Sequence, residues 1–89
     1  MMPRNKMYAA IDGERDYQDR RWNSSTTTSD GKHSTAEFVL YMEDYIAQAR
    51  SELSRNADPE ANDMALHTVR KIAALAVSCM EQNGVRVRK

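Results

Sequence analysis

The feature that most constrains this chain is the stretch 58–84, which reads DPEANDMALHTVRKIAALAVSCMEQNG. Its centre, residues 72–79, contains a single polar side chain. An acid and a proline open the stretch and Asn-Gly closes it, which is typical of a helix start and a helix end. We predict one long helix over 59–83. Because a helix that is apolar nearly all round needs neighbours on more than one side, the rest of the chain must pack around it.

A second long helix is predicted over 35–55. Ser34 and Glu37 have the spacing of a capping box, in which each side chain satisfies a backbone N–H of the other residue. Both long helices carry apolar residues at alternating spacings of three and four, the pattern of a packing seam. The two seams are Val39, Met42, Ile46, Ala49 and Leu53 in the first of these helices, and Leu66, Val69, Ala73, Ala76 and Met80 in the last. We therefore expect the two helices to pack against each other as an antiparallel hairpin.

The residues before this hairpin predict a shorter helix and a polar loop. We expect residues 1–11 to be a flexible N-terminus and a helix to cover 12–22, with Asp12 as its cap. One stripe of that helix mixes apolar residues with Arg15 and Gln18, so the helix is either a lid on the core or a wall of a binding site. Residues 23–33, NSSTTTSDGKH, contain no apolar side chain and predict a loop, and residues 85–89 predict a basic tail.

The predicted fold class is all-α, with one short helix and two long antiparallel helices in a single domain. A chain of 89 residues buries only about 60% of its unfolded surface, so an isolated copy is marginally stable. We expect a homo-oligomer, in which a second subunit covers the apolar residues Leu75 and Val77. The alternative is a monomer whose N-terminal helix closes the core alone.

Charge and composition argue against several classes of partner. Thirteen basic and thirteen acidic residues cancel, so no overall field attracts nucleic acid or a membrane surface. The basic residues of the first helix alternate with acids and form no clean patch for duplex DNA. No apolar stretch is long enough to span a bilayer, and the N-terminus lacks the pattern of a signal peptide. The single cysteine, Cys79, predicts a small core residue in a reducing compartment, so we expect a soluble, cytoplasmic protein.

The sequence predicts no catalytic residue, no metal site and no cofactor. His33 and His67 are separated by a whole helix, and neither HExxH nor CxxC spacing occurs. Glu43 and Asp44 are neighbours in sequence, so on a helix they point about 100° apart and do not form one clamp. Neither Cys79 nor any serine has a basic partner at a suggestive spacing.

The sequence does contain the side chains that bind a flat, anionic small molecule. Guanidinium and ammonium groups together with aromatic rings are what nucleotide recognition requires. The densest group is Arg20-Arg21-Trp22, beside the hydroxyl-rich loop, although cations at a helix end also complement its dipole. The candidate ligand-binding residues are Arg15, Gln18, Arg20, Arg21, Trp22, Lys32, His33, Tyr41, Tyr45, Arg70 and Lys71.

Three segments resemble small proteins encoded by bacteriophages and prophages. They are ERDYQDRRW at 14–22, the His-Ser pair at 33–34, and RKIAALAVSCMEQNG at 70–84. The helical layout is also similar to the all-α nucleoside triphosphate pyrophosphohydrolases of the MazG type. That resemblance implies magnesium held by acids on two facing helices. Here the second helix offers only Glu43 and Asp44, and the last helix has no acid between Asp63 and Glu81. The resemblance therefore implies nucleotide binding rather than catalysis.

Three functional hypotheses follow. The first is a non-enzymatic phage protein that binds a nucleotide-like ligand or a host factor, as an anti-defence protein that sequesters its target. The second is a reduced pyrophosphohydrolase whose metal site assembles across subunits from Glu14, Glu43 and Asp44. The third is an inhibitor that binds a host protein through its exposed helix face.

Overall fold

The chain folds into three helices. The computed structural model describes residues 1–21, 32–55 and 57–88. Helix α1 covers Arg4–Arg21, α2 covers Thr35–Leu53 and α3 covers Ala61–Asn83. None of the described residues forms a strand. The all-α prediction, with an N-terminal helix and two longer helices that pack together, is confirmed.

Helix α1 begins earlier than the sequence pattern predicts. It starts at Arg4, so the boundary predicted at Asp12 and the assignment of residues 1–11 as a non-helical N-terminus are wrong. Pro3 precedes the first turn, and its carbonyl accepts hydrogen bonds from the backbone N–H groups of Lys6 and Met7. Asp-Gly is a common helix boundary, but good helix formers before it extend the helix through this pair. The helix continues to Arg21, and the end predicted at Trp22 lies outside the described residues.

Helix α2 begins where its capping box predicts. The Ser34 hydroxyl accepts a hydrogen bond from the Glu37 backbone N–H at 3.1 Å, and the Glu37 carboxylate accepts one from the Ser34 N–H at 2.9 Å. These bonds satisfy two of the backbone donors that every helix start leaves unpaired. The helix ends at Leu53, two residues before the predicted boundary, and Ser54 caps its last turn.

Helix α3 begins at Ala61 rather than at residue 59. The Asp58 carboxylate accepts a hydrogen bond from the Glu60 N–H at 2.9 Å, which forms a turn before the helix instead of a helix cap. The C-terminal end at Asn83 matches the prediction. Gly84 has φ +82°, a conformation that residues with a Cβ rarely adopt, so glycine is required at this helix end. Residues 85–88 follow without helix or strand.

Helices α2 and α3 form the antiparallel hairpin. Near the turn, the Thr68 hydroxyl donates a hydrogen bond to Glu52 at 2.7 Å, and the Gln48 amide contacts both groups at 3.4 Å. At the other end, the His33 N–H donates to Gln82 at 2.7 Å. The core between them is thin. Its buried apolar residues are Phe38, Ala49, Ala61, Ala65, Ala74 and Leu75.

The hairpin does not pack through the predicted seams. Of the α2 seam only Ala49 is buried, whereas Ile46 and Leu53 are about half exposed. On α3, Leu66 and Val69 are about half exposed as well. The helices meet along lines of smaller residues, which let two backbones approach closely, and the larger seam residues point to one side.

Leu75 needs no second subunit to cover it. Its exposed fraction is 0%, and Val77 is half-buried, so the predicted reason for association is wrong for these two residues. Leu75 lies on the side of α3 that faces α2, in line with Thr68, which is also fully buried. Association of two copies would therefore have to bury other residues.

We expect Ser34→Ala to lower the free energy of unfolding by about 1 kcal/mol, because the first turn of α2 loses its hydroxyl cap. Urea unfolding monitored by circular dichroism measures this. Ser51→Ala, at an exposed position in the last turn of the same helix, is the control and should change stability by no more than a few tenths of a kcal/mol. Equal losses for both variants would contradict the capping assignment.

We expect Leu75→Ala to cost roughly 2 to 5 kcal/mol, because it removes the largest fully buried apolar side chain of a thin core. Leu66→Ala removes the same atoms from a position that is 56% exposed. In dilute protein it should cost less than about 1 kcal/mol. Thermal unfolding of both variants, compared at one low concentration, gives the difference.

Candidate functional site: the groove between α1 and α3

Helix α1 packs on α3 through polar side chains rather than apolar ones. The two buried residues of α1 are Glu14 and Gln18, which are four positions apart and so lie on the same face of the helix. Buried carboxylates and carboxamides are rare unless they are paired. Their position identifies this interface as the part of the molecule whose chemistry needs an explanation.

Glu14 forms an ion pair with Arg70. The Arg70 Nε donates to Glu14 Oε1 at 3.0 Å, and the exposed fraction of the Glu14 side chain is 7% against 38% for Arg70. Arg70 Nη2 also contacts Nδ1 of His67. Because guanidinium groups only donate, a hydrogen bond between these two groups uses the His67 nitrogen as its acceptor. The carboxylate thus fixes the orientation of Arg70 and, through it, of His67.

These residues line an open groove of about 500 Å³ between the two helices. The groove residues are Ala10, Gly13, Glu14, Tyr17, His67, Arg70 and Lys71. Gly13 has no atom within 4 Å of where a Cβ would stand, so this wall is open to a ligand. Ligand sites generally occupy about 300 to 1,000 Å³ and combine aromatic surface with a few polar groups, as this groove does.

Gln18 lies at the edge of this interface with one unsatisfied atom. Its amide Nε2 donates to the Lys71 carbonyl at 3.4 Å, while its buried Oε1 has no hydrogen-bond partner. Lys71 lines the groove, and its Nζ lies 5.8 Å from the centroid of the Tyr45 ring on α2. That distance is within the range of a cation–π interaction. Gln18, Tyr45, Arg70 and Lys71 are thus the predicted ligand residues that the structure brings together.

Arg15 is committed to ion pairs. Its guanidinium donates to Glu81 on α3 at 2.8 and 3.1 Å and to Asp19 on α1 at 2.9 Å. Partial burial acts to lower the pKa of Arg15, but the hydrogen bonds and charges of Glu81 and Asp19 outweigh burial and raise it. The group stays charged at any working pH. Its contacts indicate that Arg15 holds α1 on α3.

His33 and Tyr41 form a separate cluster at the start of α2. The His33 ring meets Phe38 and Tyr41 edge to face, at centroid distances of 5.9 and 5.6 Å. Its Nδ1 lies 3.2 Å from the Glu37 carboxylate, and its carbonyl accepts a hydrogen bond from Asn83 at 3.1 Å. Hydrogen bonds from the Ser34 backbone, His33 and the Ser34 hydroxyl, in that order, lower the pKa of Glu37. These contacts join the ends of α2 and α3.

The remaining candidates do not enter the groove. Arg20 and Arg21 are exposed in the last turn of α1, where cations complement the helix dipole. Lys32 is exposed immediately before His33. Trp22 and most of the predicted loop, residues 22–31, lie outside the described residues. The concentrated Arg-Arg-Trp site therefore stays a prediction.

Sequence reasoning missed Tyr17, His67 and Glu14 as members of one site. Part of this site could have been predicted from the sequence, because an acid on α1 can pair with Arg70 or Lys71 on α3. The charge pattern of the sequence instead favours pairing between the acidic residues of 34–63 and the basic residues from 64 onward. No ion pair of that kind occurs among residues 1–21, 32–55 and 57–88.

The three carboxylates proposed for a pyrophosphohydrolase site have different surroundings within one chain. Glu14 is buried against Arg70, whereas Glu43 and Asp44 are exposed on α2. In the described part of the chain, no three His, Cys, Asp or Glu side chains stand where they could share a metal ion. Nor is any helix of that part long and apolar enough to cross a membrane.

Comparison with known proteins returns no match. No family model, curated protein sequence or solved structure matches the chain. The resemblances to phage proteins and to MazG-type enzymes therefore stay predictions from the sequence, and the function has to be argued from the groove itself.

We expect Gln18→Met to raise the free energy of unfolding by up to about 1 kcal/mol, because it removes a buried oxygen that has no partner. Chemical unfolding of the ligand-free protein measures this. Gln48→Met, at an exposed residue whose amide makes two hydrogen bonds, is the control and should be neutral or destabilising. A destabilised Gln18→Met would show that the hydrogen bond from its amide to the Lys71 carbonyl contributes more than the unpaired oxygen costs.

Proposed function

We propose that the protein is a non-enzymatic binding protein for a small anionic molecule with a flat ring, of the nucleotide type, held in the groove between α1 and α3. The observation that carries the proposal is the grouping of Arg70, Lys71 and His67 with the Tyr17 ring around one open volume of about 500 Å³. Arginine donates in a planar fork that matches phosphate oxygens, and an aromatic ring stacks on a base.

The net charge of the groove residues favours a ligand with few negative charges. Arg70 and Lys71 contribute two positive charges, and the buried Glu14 carboxylate offsets one of them. A ligand with one or two negative charges is thereby favoured over a triphosphate, whose extra charges would approach Glu14. We propose a monophosphate or a cyclic nucleotide as the ligand class. Sequestration of such a molecule during infection is the role that fits the resemblance to phage proteins.

Isothermal titration with AMP, cyclic AMP, ADP and ATP tests the proposal. We expect the monophosphate and the cyclic nucleotide to bind more tightly than ATP. Binding should weaken as salt is raised, because the recognition is electrostatic. Lys71→Met should weaken binding by about tenfold or more, since it removes one charge-assisted contact.

Two further variants separate binding from folding. Arg70→Met alone leaves Glu14 buried without a partner, so the double variant Glu14→Gln with Arg70→Met is the informative one. It should fold and fail to bind. Arg20→Met, at an exposed position of α1 outside the groove, is the matched control and should bind like the unaltered protein. No heat with any of the four ligands, or equal binding by Lys71→Met, would contradict the proposal.

A further inference from the structure

Helices α2 and α3 leave large apolar side chains uncovered on the hairpin. Each of the six is between 42% and 56% exposed: Val39, Ile46, Leu53, Leu66, Val69 and Met80. Together with the half-buried Ala73 and Ala76, we call these residues the hairpin face. Single exposed apolar residues are ordinary, but several on adjoining helices mark an interaction surface.

The six side chains lie on one side of the hairpin. Residues of a helix are rotated by about 100° each, so Ile46 lies about 60° from the buried Ala49. Val69 lies about 100° from the buried Thr68 on α3 by the same rotation. Because the helices are antiparallel, both rotations turn toward the same side. Helix α1 occupies the other side, where Arg70 and Lys71 line the groove.

We infer that a second copy of this chain covers the hairpin face, with α2 antiparallel to α2 and α3 antiparallel to α3 across a two-fold axis. The sequence of α2 is symmetric about Ile46 in the way such an axis requires. Val39 and Leu53 each stand seven residues from Ile46. In the pair, Val39 meets Leu53 of the partner subunit, and the two copies of Ile46 meet at the axis.

The same symmetry holds for α3 about Ala73. Leu66 and Met80 each stand seven residues from it, so each meets the other across the axis. An alanine at the centre lets the two helices approach closely. The two centres are nearly level, since Lys71 lies over the Tyr45 ring on α2. One axis therefore serves both helix pairs, within about one helical turn.

Charge complementarity identifies the occupant as a second copy. Glu43 and Arg50 stand three residues before and four residues after Ile46, on the rim of the face. Both side chains are exposed, and neither side chain forms an ion pair or a hydrogen bond within the described part of the chain. About the same axis, Glu43 meets Arg50 of the partner subunit, twice in each dimer.

The area of the hairpin face sets the expected affinity of the dimer. From residue 39 to 53 it is about 21 Å long, and two adjacent helices are about 20 Å wide. Its projected area of roughly 400 Å² lies among the larger apolar patches found on protein surfaces. A modest interface of this kind favours a dissociation constant in the micromolar range rather than an obligate dimer.

Sedimentation velocity over about 1 to 500 μM protein tests whether the dimer forms and where. We expect the unaltered chain to shift from monomer to dimer in this range. Ile46→Glu should abolish the shift while circular dichroism still reports folded helices, because this side chain is already 48% exposed. Leu40→Glu, about 120° around α2 from Ile46 and 60% exposed, is the matched control and should dimerise normally.

Exchange of the charges at positions 43 and 50 tests the proposed antiparallel packing of α2 on α2 of the partner subunit. Glu43→Arg and Arg50→Glu should each weaken the dimer by about tenfold, since either change places like charges opposite each other twice. The double variant should return the dissociation constant to within about threefold of the unaltered value. A packing of α2 against α3 of the partner subunit would not bring Glu43 and Arg50 together, so failure of this rescue overturns the proposed axis.

Two other outcomes would overturn the inference. A chain that stays monomeric throughout the range shows that no second copy covers the face. Equal loss of the dimer in Leu40→Glu and Ile46→Glu shows that the contact is elsewhere. Neither outcome depends on the ligand proposal, because all these measurements are made without nucleotide and alter no residue of the groove.

Discussion

The structure depends on the fact that α3 meets two neighbours of different chemistry. One side of α3 packs on α2 through Leu75 and Thr68, both fully buried. A second side packs on α1 through Arg70, which is paired with a buried carboxylate. The same helix therefore supplies most of the core and three of the seven residues that line the candidate ligand site. Because both contacts need α3 in place, the site can form only when the hairpin is folded.

The sequence predicted helix ends well where the signal is local. Ser34 caps α2 and Gly84 ends α3 because their chemistry acts on the backbone within one turn. The start of α1 failed because Asp12-Gly13 has the look of a boundary, while the residues before it favour helix strongly enough to continue through it. A helix-boundary pattern and neighbouring helix-forming residues compete at such a position, and the sequence alone does not show which of them is stronger.

Which side of each helix faces the core was harder to predict. A spacing of three and four marks a stripe of large apolar residues, but it does not identify the neighbour that covers the stripe. Here the hairpin closes along small residues such as Ala49 and Ala65, which allow the backbones to come close. The large residues at Ile46 and Val69 then turn outward. The candidate site was only partly predicted for a related reason. Tyr17 and His67 line the same groove only because α1 packs on α3, and the sequence pattern does not show that packing.

The polar contact between α1 and α3 also affects how the molecule opens. Charged contacts weaken with added salt, whereas burial of apolar side chains does not. Helix α1 is held on α3 by Arg15, Glu14 and Gln18, so we expect added salt to weaken this contact before it weakens the hairpin. Because α1 and α3 line the groove together, the groove would be lost whenever α1 separates from α3.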